Sequence, residues 1–157
     1  MIRPFEVADT NQLIDLLEAN AQDAKAEGFA EYNVDKIIDM VKKFANMPNR
    51  EMLLAVRGQE LVGHAMISAN PKAWGDDILG EVHLFFVHPD YRNGFVAKDL
   101  FDACYEWFRS RDCVCMTSTV QAWDKNYQPC EDWIQNGESF FGKLMQPTGT
   151  CYVKEIV

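Results

Sequence analysis

Apolar positions along the chain change their period several times, and each change marks an element. Ile2 to Glu6 reads as a short strand. Asp9 and Thr10 are N-cap candidates for a helix carrying Leu13, Ile14, Leu16, Leu17 and Ala21 at three- and four-residue spacing, which fades near Gly28. After the polar and aromatic connection AEGFAEY, Asn33 can cap a second helix. Ile37, Ile38, Val41 and Phe44 form its apolar face, and it stops before Pro48. The run MLLAVRGQELVGHAMI holds two apolar stretches about Arg57-Gly58-Gln59-Glu60, which predicts a hairpin. Asn70 to Gly80, with Pro71, Gly75, Asp76 and Asp77, reads as a loop.

Glu81 to Val87 then alternates with the period of a strand. Val82, Leu84 and Phe86 fall on one face, and Glu81, His83, Phe85 and Val87 on the other. Val96, Leu100, Phe101, Cys104, Trp107 and Phe108 return to helical spacing. Cys113 to Val120 is rich in strand formers and is expected to lie parallel to the Glu81 strand, reached by a right-handed crossover. A polar, aromatic segment from Gln121 to Gln128, a helix from about Cys130 to Lys143 and a strand from Thr150 to Ile156 complete the pattern.

At 157 residues, this is most economically one domain, 1–157. The net charge of −9 repels nucleic acid phosphates and favours cationic partners. No apolar run approaches the roughly 20 residues that span a bilayer, so no membrane partner is expected. MIRPFEVADT lacks an apolar signal core, and five cysteines are an odd number for a disulfide framework. A reducing cytoplasm is the expected compartment. Cys113 and Cys115 share a strand face without a second pair at zinc-site spacing, so no metal is expected. There is no GxxxxGK[ST] loop and no GxGxxG after a strand.

The chemistry concentrates in GEVHLFFVHPDYRNGFVAKDLFDACYEWFRSR, a strand, a basic turn with a glycine, and an amphipathic helix. Such a turn presents unpaired N–H groups and the positive end of a helix dipole, a site for a phosphate or diphosphate.

The element order, with LLAVRGQELVGHAMI as the central hairpin, LFFVHPDYRNGFVAKDLF as an acyl-CoA signature and SFFGKLM near the end, resembles the GCN5-related N-acetyltransferase (GNAT) superfamily. The resemblance covers essentially the whole chain. It implies an α/β fold, a twisted mixed sheet of about six to seven strands with helices on both faces. It also implies acetyl-CoA as co-substrate and transfer of the acetyl group to a primary amine on a small molecule or peptide, and it is compatible with a homodimer. The matching cofactor-binding positions are Phe86, Val87, Arg92, Asn93, Gly94, Phe95, Val96, Ala97 and Lys98. The amide of Val87 would face the thioester carbonyl, and Arg92 and Lys98 would add positive charge. Two positions depart from the family pattern. Phe95 stands where the first Gly is usual, with Gly94 one place earlier, and Phe141 stands where many members keep a tyrosine acid. Tyr127 or a water could take over that proton donation. Both departures also suit an alternative, an inactive scaffold that binds CoA or a protein.

An alkyl ammonium with a pKa near ~10.4 cannot attack until it loses a proton. The resemblance matches Glu81 and His83 to strand positions where family members keep a catalytic base, and the period of two sets both on one face. The same alternation equally describes the polar face of a half-buried strand. His64 is expected to be packed or hydrogen-bonded, and His88, before Pro89, to be a turn residue. By the resemblance, the segments framing the acceptor carry Glu27, Phe29, Glu31, Tyr32, Trp74, Asp76, Asp77, Trp123, Asp124, Asp132 and Trp133. That mixture suits a cationic amine.

Overall fold

A computed structural model describes residues 1–26, 33–73, 75–92, 94–119, 143–148 and 151–156. Asn93, Tyr127 and Phe141 lie outside them, as does nearly all of the helix expected from 130 to 143. Strand β1 (Ile2–Pro4) leads into α1 (Thr10–Ala26) and α2 (Val34–Ala45). Strands β2 (Arg50–Arg57), β3 (Glu60–Pro71) and β4 (Ile78–Val87) follow, then α3 (Val96–Arg109) and β5 (Cys113–Thr119). Strands β6 (Gln146–Thr148) and β7 (Cys151–Glu155) come last, and β6 has no counterpart in the sequence pattern.

The seven strands form one sheet in the order β1-β2-β3-β4-β5-β7-β6. Every pairing is antiparallel except β4 with β5, which α3 joins by a crossover. Helices cover both faces. On one, α3 buries Val96, Leu100, Phe101, Cys104 and Phe108 against Leu53, Ala65, Ile67 and Val82. On the other, Leu13 and Leu17 of α1 and Val41 and Phe44 of α2 meet Met52, Leu54 and Met66. Asn33 caps α2 as its sequence suggests, its Oδ1 accepting from the Lys36 N–H at 3.1 Å.

The hairpin turns at Gly58, whose φ of +63° is the left-handed conformation that glycine adopts without strain. Gly80 answers a different demand: a methyl here would sit 2.5 Å from the Phe108 ring. The bare backbone lets α3 lie close on β4.

Two sequence expectations need correction. The loop is not Asn70 to Gly80, because β3 and β4 pair out to Pro71 and Ile78. The remaining turn is closed by Lys72 N–H donating to the Asp77 carbonyl at 2.9 Å and by a 2.7 Å ion pair between the same two side chains. Asp77 is therefore matched by Lys72. The second correction concerns the faces of β4. Met66 opposes Leu84 while Ile67 opposes Val82, so His83 is an extra residue, a β-bulge. The inserted residue resets the alternation. Val82, Phe85 and Val87 pack on the α3 side, whereas Leu84 packs with α1 and α2.

His64 lies fully buried in β3 between Leu54 and Phe86, and neither ring nitrogen has a hydrogen-bond partner among the described residues. It is packed, as expected, but not hydrogen-bonded. Burial pushes it down to about 4 from the ordinary 6.5. Above pH 6.5 the ring is neutral in both folded and unfolded chains and contributes no pH dependence. Between pH 6.5 and 4 only the unfolded chain takes the proton, so stability falls with pH, by about 3 kcal/mol at the lower end. His64→Leu is expected to flatten the stability–pH curve in that window, as measured by urea unfolding from pH 8 to 4.

Candidate active site

Strand β4 carries the candidate chemistry because it serves two neighbours unequally. Its pairing with β5 runs from Ile78 opposite Cys113 to Val82 opposite Ser118 and goes no further, although β4 continues to Val87. Over its last five residues β4 has a partner, among the described residues, only on the β3 side. His88 N–H donates to the Val62 carbonyl at 2.9 Å, which fixes the alternation of antiparallel bonds along this edge. Val87, one position back and opposite Gly63, falls in a non-bonded pair, so its N–H and C=O point away from β3. Gly63 allows that close approach: a Cβ there would meet the Phe86 carbonyl oxygen at 2.9 Å. Arg92 Nε donates to the outward Val87 carbonyl at 2.9 Å, and its guanidinium lies over the Phe86 ring at 5.5 Å.

Beyond this strand the chain enters α3 without a side-chain cap. Asp99 N–H is already bonded to the Phe95 carbonyl at 2.8 Å, so the N–H groups of Val96, Ala97 and Lys98 have no helical acceptor. Phe95 has φ −82°, a conformation open to any residue, and its side chain is 75% exposed. Phenylalanine in place of glycine therefore imposes no backbone strain here. Gly94 has no left-handed conformation either. Lys98 is turned along the helix to Asp102, so its charge is spent one turn away from the amides. The sequence reading missed Arg57, whose guanidinium lies 3.7 Å from Asp99 and offsets an acid in the first turn of α3.

On the face that α1 and α2 cover, Glu81 and His83 share one partner. The buried Ser68 hydroxyl lies 2.7 Å from His83 Nε2 and 3.5 Å from Glu81 Oε2. Asn70 Nδ2 donates to Ser68 Oγ at 2.8 Å and to Glu81 Oε2 at 3.0 Å, and Asn49 Nδ2 donates to Asn70 Oδ1. The bulge keeps His83 on this face beside Glu81, and the ring stands edge-on to Phe44 with centroids 5.6 Å apart. His83 is solvent-accessible, yet the cover over its ring holds its pKa below the ordinary histidine value. Glu81 pulls it up and Arg50 pushes it down. The Phe86 side chain lies on this face too, tilted against His64 at 5.8 Å.

The sequence pattern did not single out Ser68, Asn70 and Asn49. Their signal is register: Ser68 stands directly opposite Glu81. His88 is the turn residue expected, accepting from the Asp90 N–H at 3.4 Å. Of the acceptor-framing residues, Asp76 is exposed, Asp77 is paired with Lys72, and the other nine lie outside the described residues. No group of three or more potential metal ligands occurs among the described residues, and Cys104 and Cys113 are buried free thiols.

The family model of the acetyltransferase (GNAT) family matches residues 12–130. A search of curated proteins by sequence matches none. Among solved structures, a ribosomal-protein-alanine N-acetyltransferase from Brucella melitensis biovar Abortus 2308 is 20% identical with a TM-score of 0.66, over 89% of both chains. An aminoglycoside acetyltransferase from an uncultured soil metagenomic sample, in complex with sisomicin, is 16% identical with a TM-score of 0.64, over 100% of this chain and 91% of its own. A transcriptional regulator from Bacillus halodurans C-125 is 18% identical with a TM-score of 0.72, over 95% of both chains. At such identities the likeness shows the fold. No helix among the described residues is long and apolar enough to cross a membrane. The match of the family model over more than half of the chain, on a sheet whose one parallel pair parts in this way, makes this protein a member of the GNAT acetyltransferase family.

Proposed function

We propose that this protein transfers an acetyl group from acetyl-CoA to a primary amine, acting in the cytoplasm as a single domain. The observation that carries the reading is the meeting of two features at one end of β4: a strand edge without a β5 partner, and the uncapped start of α3. The amides of Val96, Ala97 and Lys98, with Gly94 and Phe95 in the turn, would bind the diphosphate. The outward Val87 N–H would donate to the thioester carbonyl, and a pre-aimed donor of that type is worth about 2.7–4 kcal/mol when it meets developing charge. Asn93, the remaining residue of the expected cofactor-binding set, lies outside the described residues.

His83 is the base in this reading. It is accessible, and its lowered pKa keeps it neutral near pH 7, while Ser68 fixes the orientation of its ring. Glu81, held by Asn70, supplies negative charge that draws the acceptor in as its ammonium form, so a cationic amine is favoured. His83 first takes a proton from the bound ammonium, the neutral nitrogen attacks the thioester carbon, and the C–S bond breaks as the nitrogen sheds its second proton to water. Because a thiol has a pKa of about 8.5, the thiolate leaves readily, and Tyr127 is the proposed group to protonate it. The unstrained backbone at Phe95 supports the active reading over an inactive scaffold.

Roles divide between kcat and KM. His83→Gln is expected to lower kcat by about 10²–10⁴-fold. It should also abolish an acid limb whose midpoint lies below 6.5, because activity is lost as His83 takes up its proton. Glu81→Gln is expected chiefly to raise KM for the amine. Steady-state kinetics from pH 5 to 9 read both, and an unchanged profile in His83→Gln refutes the base. Calorimetry reads the other half of the site. Arg92→Ala is expected to weaken acetyl-CoA about 10- to 100-fold, the usual scale for a charged hydrogen bond, and Lys98→Ala less than about 3-fold, because its charge is spent in a surface ion pair. An acetyl-CoA that gives no heat with the unmodified protein refutes the enzyme.

A further inference from the structure

Arg50, at the start of β2, is a charged group with no hydrogen-bond or ion-pair partner among the described residues. The other five arginines are engaged: Arg3 with Asp9, Arg57 with Asp99, Arg92 with the Val87 carbonyl, Arg109 with Glu106 and Arg111 with the Pro48 carbonyl. The Arg50 guanidinium has no carboxylate and no hydrogen-bond acceptor among the described residues, and its Nε is buried without a partner. In a chain with a net charge of −9 that is a notable vacancy, since an arginine fork offers five donors suited to a carboxylate. The Phe44 ring lies 4.9 Å from the guanidinium carbon. Stacking on an aromatic face orients the fork and leaves all its hydrogen bonds unmade.

The location gives the vacancy a use. Arg50 stands directly opposite Ser68, and Ser68 directly opposite Glu81, so the three form one row across β2, β3 and β4. Phe44 touches both ends of the constellation, under the Arg50 guanidinium on one side and against the His83 ring on the other. The row runs from positive to negative over two strand spacings, roughly 10 Å between the outer Cα atoms. An acceptor whose amine meets Glu81 and His83 would present any anionic group a few bonds away to Arg50.

We propose that Arg50 receives a carboxylate carried by the acceptor, so that the substrates are amines of the amino-acid class rather than polycations. This rests on the activity proposed above and narrows its acceptor from a cationic amine to a zwitterion.

The test uses ω-amino acids of increasing chain length, their primary amides, and the matching diamines. They are assayed with acetyl-CoA at pH 8, where His83 is neutral in every variant. At one or more lengths the acid should exceed its amide and diamine by about 10-fold or more in kcat/KM. Arg50→Gln should remove that advantage, 10- to 100-fold on the acid and within about 3-fold on the amide, while the melting temperature is kept. Arg50→Lys should retain part of it. A wild-type preference for diamines, or an equal loss on acid and amide, overturns the proposal. If no amine is acetylated, the activity has failed, and calorimetry with the same amino acids in the presence of CoA decides Arg50 by itself. Binding that Arg50→Gln abolishes supports the carboxylate site, and no binding, or binding that survives the substitution, refutes it.

Discussion

The parting of β4 from β5 after Val82 and Ser118 is the constraint on which the rest of the site depends. A parallel pair inside a sheet normally satisfies the backbone groups on both edges of each strand. Here β4 runs five residues further than its parallel neighbour follows, and its outer groups must find other partners. Arg92 takes the Val87 carbonyl. The Val87 N–H on the same edge is the kind of group a ligand with a carbonyl can satisfy. The first turn of α3 has a similar need, with N–H groups that no side chain caps. Both sit at the same end of β4, because the chain passes from one to the other through the turn at 88–95.

The bulge at His83 ties this edge to the polar cluster on the opposite side from α3. One inserted residue brings Leu84 to the α1 and α2 side and leaves Glu81 and His83 together with Ser68 between them. A regular strand would have put Phe85 and Val87 on that polar face. In the bulged strand they pack toward α3 instead, where Gly80 makes room for Phe108. The cluster is pinned from the turn before β2 to β4 by Asn49, Asn70 and Ser68. Networks of this kind fix side-chain geometry before a substrate arrives.

Most of the architecture was legible in the sequence because period and punctuation agree. Asn33, the Gly58 turn and the stripe from Val96 to Phe108 each set an element where the structure has it. Glu81 and His83 were legible as a pair because two residues apart on a strand means one face. The faces beyond them were not, because a bulge leaves no mark on composition and shows only in register with β3. Ser68 and Arg50 were hidden for a related reason: their meaning comes from standing in one row across three strands, a non-local fact. The 70–80 segment misled because Pro71 and Gly80 look like loop punctuation. In place, Pro71 ends a strand and Gly80 answers Phe108.

Amide hydrogen exchange of the protein with and without acetyl-CoA tests the central claim most directly. The expected result is ligand-dependent slowing at the Val87 amide together with the turn at 94–98, and little change along the paired stretch from Ile78 to Val82. Slowing confined to other elements, or none in either segment, would contradict the reading that the unpaired end of β4 and the start of α3 hold the acyl donor.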